Sequence, residues 1–247
     1  MEFDVLTLFP EMFPGVLDSS ILGRAREKGL LRVHVHHIRD FAADKHRTTD
    51  DLPYGGGPGM VMKPEPLYKA WQAAKERNPG LPARTVLLSP QGRPLTQPLL
   101  EHLASQLPGN TRLILVCGRY EGIDERFVEE CVNEEISLGD FVMTGGEIAA
   151  MALIDGLARL LPGVLGNEDS SSTESFSSAT HGLLEGPQYT RPAEFLGRKV
   201  PEVLLSGDHK KIAQWRQEQS LTRTRFRRPE LLTRSSGSES RDNPRIS

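Results

Sequence analysis

Four consecutive aliphatic side chains, Leu113-Ile114-Leu115-Val116, run without a break into Cys117-Gly118-Arg119-Tyr120-Glu121-Gly122-Ile123-Asp124, a polar loop carrying two glycines. A short apolar run with no polar alternation marks a strand buried on both faces, and such strands belong to parallel sheets covered by helices. The pattern recurs. Thr85-Val86-Leu87-Leu88 leads into Ser89-Pro90-Gln91-Gly92, and another short strand leads into Ser137–Gly146. Phe3–Phe9 reads as a first strand, and Leu31–Ile38 alternates with period two. Helical patterns lie between, at Glu65–Arg77, Gln97–Gln106 and Gly146–Leu161; Asn78-Pro79-Gly80 stops the first and Pro162-Gly163 the last. Strands alternating with helices predict an α/β fold built by crossover connections. Ligands of such sheets bind at the carboxyl ends of the strands, where glycine lets backbone come close. Any one of these loops reads as a turn. Three together predict a pocket of backbone donors and acceptors suited to an adenine edge.

A chain of 247 residues, 37% hydrophobic, can bury a sizeable core and holds one medium domain plus a small one. Cys117 and Cys131 stand at neither metal nor redox spacing, which fits a reduced, cytoplasmic setting. The start, Met-Glu-Phe-Asp-Val, lacks the basic region of a signal peptide, and no apolar run approaches the ~18–20 residues that span a bilayer. A soluble protein without membrane contact is expected. The net charge of −3 hides a division, because residues 186–235 hold 11 Lys and Arg against 5 Asp and Glu while residues 1–185 are acidic. Charge alone leaves two readings even: a nucleic-acid contact, or a solvated helical domain laced with ion pairs. Residues 166–180 are rich in serine and show no period, as a mobile linker or lid would be. Val200–Trp215 and Leu221–Leu232 are helix-like and basic, and the polar tail Ser235–Ser247 is expected to be disordered.

Two motifs invite chemistry and are better read otherwise. Tyr54-Gly55-Gly56-Gly57-Pro58-Gly59-Met60 lacks the Gly-Lys-Ser/Thr ending of a triphosphate-binding loop, and such a run is more often a tight turn. His34 and His36 would share one face of a strand with His37 opposite, and no Cys or carboxylate stands at ligand spacing. No metal site is expected there.

The stretches PYGGGPGMVM (53–62), LSPQG (88–92), CGRYEGIDER (117–126), EISLGDFVMTGGE (135–147), LPGVLGN (161–167), GLLEGPQYTRP (182–192), VPEVLLSGDHKKIAQWR (200–216) and RRPELL (227–232) occur in this order. Together they closely resemble the bacterial tRNA (guanine-N1)-methyltransferases, of the knotted (SPOUT) superfamily, from Phe3 to about Leu232. The resemblance implies an α/β fold with a deep trefoil knot in a methyltransferase domain over 1–163, and a flexible linker over 164–181. A small, mainly helical, basic tRNA-binding domain would follow over 182–235, then a disordered tail over 236–247. It implies an S-adenosylmethionine-dependent homodimer with active sites at the subunit interface, Mg2+ during the reaction, and methylation of the guanine immediately 3′ of the anticodon, position 37.

Matched motif by motif, the cofactor would meet Pro90, Gly118, Glu121, Leu138, Gly139, Asp140, Phe141, Val142, Met143 and Gly145, with Glu185 near the methionine amino group of the cofactor bound to the partner subunit. Arg159 matches the arginine that stabilises charge at guanine O6; on its own it reads as a helix C-terminal cation favoured by the dipole. The family's general base is an aspartate in an Asp-Ser-Phe segment, where this chain has Glu174-Ser175-Phe176. The longer side chain demands a slightly different backbone placement, and Asp169 is the nearby alternative. Lys210, Lys211, Arg216, Arg223, Arg225, Arg227 and Arg228 would grip the anticodon arm of tRNA. Competing functions are a knotted methylase acting on a ribose 2′-hydroxyl, an RNA-binding protein that lost its base, and a phosphate hydrolase built on the glycine-rich run.

Overall fold

The computed structural model describes residues 1–106, 111–166, 174–177 and 180–234. Two compact units divide the chain, Met1–Gly166 and Asn167–Ser247. The first carries a five-stranded sheet in the order β2-β1-β6-β5-β7, formed by β1 (Glu2–Thr7), β2 (Arg32–His37), β5 (Ala83–Pro94), β6 (Arg112–Cys117) and β7 (Glu134–Ser137). All its pairings are parallel. A short antiparallel pair, β3 (Asp50–Asp51) and β4 (Val61–Met62), flanks the glycine-rich run.

Side chains of a strand alternate between the two faces, and both faces here are buried. Phe3, Val5, Val86, Leu88, Leu113 and Leu115 pack against Leu99 and Leu103 of α4 (Gln97–Gln106) and Ala150, Leu153 and Leu157 of α6 (Glu147–Ala158). Leu6, Leu87, Ile114 and Val116 meet Leu67, Ala70 and Ala74 of α3 (Pro64–Glu76) and Phe127 of α5 (Glu125–Cys131). The uninterrupted run 113–116 is thus two interleaved apolar faces, which is why it shows no alternation.

Several boundaries differ from the sequence reading, each for a local reason. The first strand ends at Thr7, because Phe9 already opens a 3-10 turn at Pro10–Met12. Ser89–Gly92 does not follow a strand but bulges out of one: Leu88 and Arg93 both pair with Ile136, and the four residues between are extruded. The basic segments 200–215 and 221–232 are one long helix, His209–Arg227, between two short ones, Glu202–Leu205 and Glu230–Arg234. Gly207, at φ 69°, breaks the chain before it, and Asp208 caps it by accepting from the Lys210 and Lys211 amides at 3.2 Å. The intervening Arg216–Ser220 lacks apolar residues, yet its straight-chain side chains favour helix and carry it through. The sequence reading also passed over α2 (Ser20–Glu27), α5, and a small hairpin of β8 (Glu194–Phe195) and β9 (Arg198–Lys199). Within the second unit, Leu184 and the long helix are tied by Leu184 N–H donating to Thr224 Oγ1 at 3.0 Å and Ser220 Oγ donating to Leu184 O at 2.5 Å. Among the described residues no helix is long and apolar enough to cross a membrane. The expected disordered tail and the alternative base Asp169 lie outside the described residues.

One polar cluster is built into the second core layer. Asp4 of β1 is fully buried and accepts from Arg77 Nε at 2.8 Å and from Arg112 Nη1, with His36 Nε2 at 2.7 Å. Arg112, itself buried, also donates to Ala74 O and Lys75 O at 2.6 and 2.7 Å, closing the end of α3. His36 is therefore a partner of Asp4. Among the described residues no group of three or more His, Cys, Asp or Glu could hold a metal.

Burial alone would raise the Asp4 carboxyl, but hydrogen bonds from His36, Arg77 and Arg112 outweigh it and hold the group well below the usual carboxylate range. Its contribution to stability is fully present above the unfolded value of ~3.9 and is lost as pH falls through the folded one. Asp4→Ala, which strands Arg112 as a buried unpaired charge, is expected to cost about 3–5 kcal/mol at neutral pH in urea denaturation. The gap from wild type should narrow as pH drops below about 3.9.

Candidate active site

The bulge in β5 and the carboxyl ends of β6 and β7 open into one cavity of about 470 Å³, within the range of small-molecule sites. Its walls come from the extruded Ser89–Gln91, from Gly118–Ile123 after β6, and from Ser137, Leu138 and Phe141–Gly146 between β7 and α6. Backbone dominates these walls. A Cβ on Gly146 would lie 2.8 Å from Cys117 Cα and 3.0 Å from Gly118 N, so this residue must be glycine for the two segments to cross. Gly146 N–H donates to Gly118 O at 2.9 Å across the same crossing. Gly118 itself has room for a Cβ, the nearest atom being Leu88 O at 3.7 Å. Gly118 lines the cavity, so its bare backbone is open to a ligand there.

The glycine-rich run is a turn, with Gly55, Gly56, Gly57 and Gly59 all at positive φ. It contributes indirectly, since Glu121 N–H donates to Met60 O at 3.0 Å and the Glu121 side chain packs on Gly59. Behind the cavity, burial and then the Glu147 charge push the Cys117 thiol well above its ordinary value, so it is no nucleophile.

Of the residues singled out from sequence, Pro90, Gly118, Glu121, Leu138, Phe141, Val142, Met143 and Gly145 line this cavity. Gly139 and Asp140 are not among its lining residues; Gly139 O instead accepts from Ser137 Oγ at 3.0 Å. Arg159 belongs to the first unit, as the C-cap of α6. Glu174 and Glu185 belong to the second. There Glu174 O accepts from Thr180 Oγ1 at 3.1 Å, and the Glu185 amide donates to Ser175 Oγ at 3.1 Å. Lys210, Lys211, Arg216, Arg225 and Arg227 are exposed on the long helix, whereas Arg223 is half-buried. Arg228 follows the helix, paired with Glu230 and 5.9 Å from the Phe176 ring.

Sequence reasoning passed over Arg119, Gln91 and Thr144, all in the cavity wall. Arg119 Nη1 donates to Thr144 O at 3.0 Å, and Nη2 lies 2.9 Å from Glu147 Oε2. A polar residue directly after a buried strand, in a loop already suspected, was the available signal.

Parallel strands covered on both faces, with a glycine-walled cleft beside strand ends, define an α/β protein of the class that takes ligands at the ends of its strands. Residues 1–234 match the family model described as tRNA (Guanine-1)-methyltransferase TrmD, and the chain belongs to that family. A tRNA (guanine-N(1)-)-methyltransferase of Syntrophotalea carbinolica is 55% identical over 235 residues, covering 95% of this chain and 91% of the relative. Those of Geotalea uraniireducens and Anaeromyxobacter dehalogenans are each 57% identical, over 94% and 97% of this chain and 91% and 94% of theirs.

Gly146 sits at φ −78°, open to any residue, so Gly146→Ala tests space alone. Overpacking at the crossing should cost about 1–3 kcal/mol in thermal denaturation. Gly15→Ala, in a helix with nothing within 4 Å, should gain up to about 1 kcal/mol.

Proposed function

We propose that the chain methylates N1 of the guanine immediately 3′ of the anticodon in tRNA, using S-adenosylmethionine bound in the cavity between the β5 bulge and the ends of β6 and β7. The observation that carries this reading is that three backbone-walled loops converge on one cleft in a chain of this family. The cleft fits the cofactor in kind: its volume suits a small molecule, glycines let backbone approach, and Leu138, Ile123 and Val128 offer apolar surface to a purine. Pro90, Gly118, Glu121, Leu138, Phe141, Val142, Met143 and Gly145, which line it, would hold it, with Glu185 contributed by a second subunit.

Bound there, S-adenosylmethionine supplies a methyl group already activated by its sulfonium. The chain's own task lies with the acceptor, because neutral guanine carries a proton on N1. Glu174 would take that proton onto a carboxylate oxygen, leaving the N1 electron pair free for the methyl carbon, whose former bonding pair would stay on the donor sulfur. The Arg159 guanidinium offsets the negative charge that moves onto O6. Among the described residues no group of three or more His, Cys, Asp or Glu could hold Mg2+.

A homodimer fits Phe141 and Val142, apolar and largely exposed beside the cavity, where a second subunit would cover them. A trefoil knot fits the close backbone crossing of Gly146 over Cys117. The proposed division of labour gives 1–163 the cofactor and 182–235 the tRNA, with the exposed Lys210, Lys211 and Arg225 on phosphates.

Glutamate in place of aspartate favours one rival, a tRNA-binding protein without turnover, and a single assay on unmodified tRNA separates the two. Wild type should place the methyl on guanine N1. Glu174→Ala should lower kcat by about 10²–10⁴-fold while cofactor binding holds, and Glu174→Asp should retain turnover. Absence of methyl transfer by wild type would favour the rival. A methyl on a ribose 2′-hydroxyl, or full activity in Glu174→Ala, would overturn the assignment of the base.

A further inference from the structure

We infer that Arg119 is a positioning residue for the cofactor site, locking the two loops that cross beneath it. The inference rests on the reading of the cavity as the S-adenosylmethionine site. Arg119 follows β6 and is mostly buried, and its guanidinium reaches two other segments, 144–147 and 9–12. Nη1 donates to Thr144 O at 3.0 Å, in the loop before α6. Nη2 stands 2.9 Å from Glu147 Oε2, at the first residue of α6, and 3.5 Å from Met12 Sδ. The guanidinium carbon lies 4.3 Å from the centre of the Phe9 ring.

Glu147 extends the chain of contacts to β1. Fully buried, it accepts from Thr7 Oγ1 at 2.8 Å through its other oxygen, and Thr7 Oγ1 accepts from Phe9 N–H at 3.0 Å. The ends of β1 and β6 and the start of α6 are thereby joined through one buried ion pair. Gly145 is fixed by the same group, since a Cβ there would collide with the guanidinium.

Stability alone is a poor reason for such a pair. Removing two charges from water is unfavourable in itself, and apolar residues of similar size often do as well or better. What the pair adds is a defined position for Thr144 and the backbone beside it, the wall formed by Leu138 and Phe141–Gly146. A ligand read by backbone groups depends on that position, and a misplacement of about 1 Å can cost 100-fold. Lysine does not reproduce the fork, because its one nitrogen cannot occupy the separate positions of Nη1 and Nη2, whatever the number of its N–H groups.

Two variants of the full chain separate positioning from folding. Arg119→Lys keeps the charge and loses the fork. The double variant Arg119→Met/Glu147→Met removes the buried charges together and should melt close to wild type. In isothermal titration with S-adenosylmethionine, both are expected to bind at least 10-fold more weakly than wild type, the double variant despite its retained melting temperature. Binding within twofold of wild type in either folded variant would overturn the role of Arg119 and leave the cofactor reading intact. No binding by wild type would overturn both.

Discussion

A parallel sheet covered on both faces has no free surface for chemistry except its edges and the ends of its strands. That constraint organises the first unit. The apolar side chains of β1, β5, β6 and β7 are committed to two core layers, so the loops after β6 and β7, together with the bulge in β5, must present backbone outward. Backbone amides and carbonyls then become the recognition groups, and glycines such as Gly146 permit segments to cross at distances no side chain would tolerate.

Two buried charge clusters hold this arrangement at different places. The Asp4 cluster joins β1, β2, β6 and the end of α3. The Arg119–Glu147 pair binds the strand ends where the cavity opens. Both are costly in isolation; the Asp4 oxygens are hydrogen-bonded, whereas among the described residues Glu147 Oε2 meets Arg119 only as an ion pair and Arg119 Nε is buried without a hydrogen-bond partner. A covered sheet fixes the strands, while the second cluster fixes the loops, which hydrophobic packing alone leaves free.

Much of this was legible in the residues. The run 113–116, the helix at 97–106 and the loops after 117 and 137 needed only periodicity and the behaviour of strand ends, whereas 89–92, read as such a loop, is a bulge whose strand resumes beyond it. Fusion of the two basic segments into one helix was not legible, because a helix with one covered side leaves a weak apolar period across Arg216–Ser220. Nor was Arg112 visible as a core residue: nothing in a sequence tells a surface arginine from one whose partners, Asp4 and the end of α3, lie 108 and 38 positions away. Arg119 escaped for the same reason, its partners being a carbonyl and a carboxylate on a loop and helix further along. Glu174 and Arg159 were singled out through resemblance and chemistry; periodicity alone would have left them a solvated acid and a helix-end cation.

The central claim is that the strand-end cavity is where the methyl donor binds. Hydrogen exchange of the full chain, with and without saturating S-adenosylmethionine, addresses it directly. The account predicts slowed exchange concentrated in 88–92, 118–122 and 137–146, with the strands and α3 unchanged. Unaltered exchange in those three loops, or protection confined to another part of the chain, would contradict it.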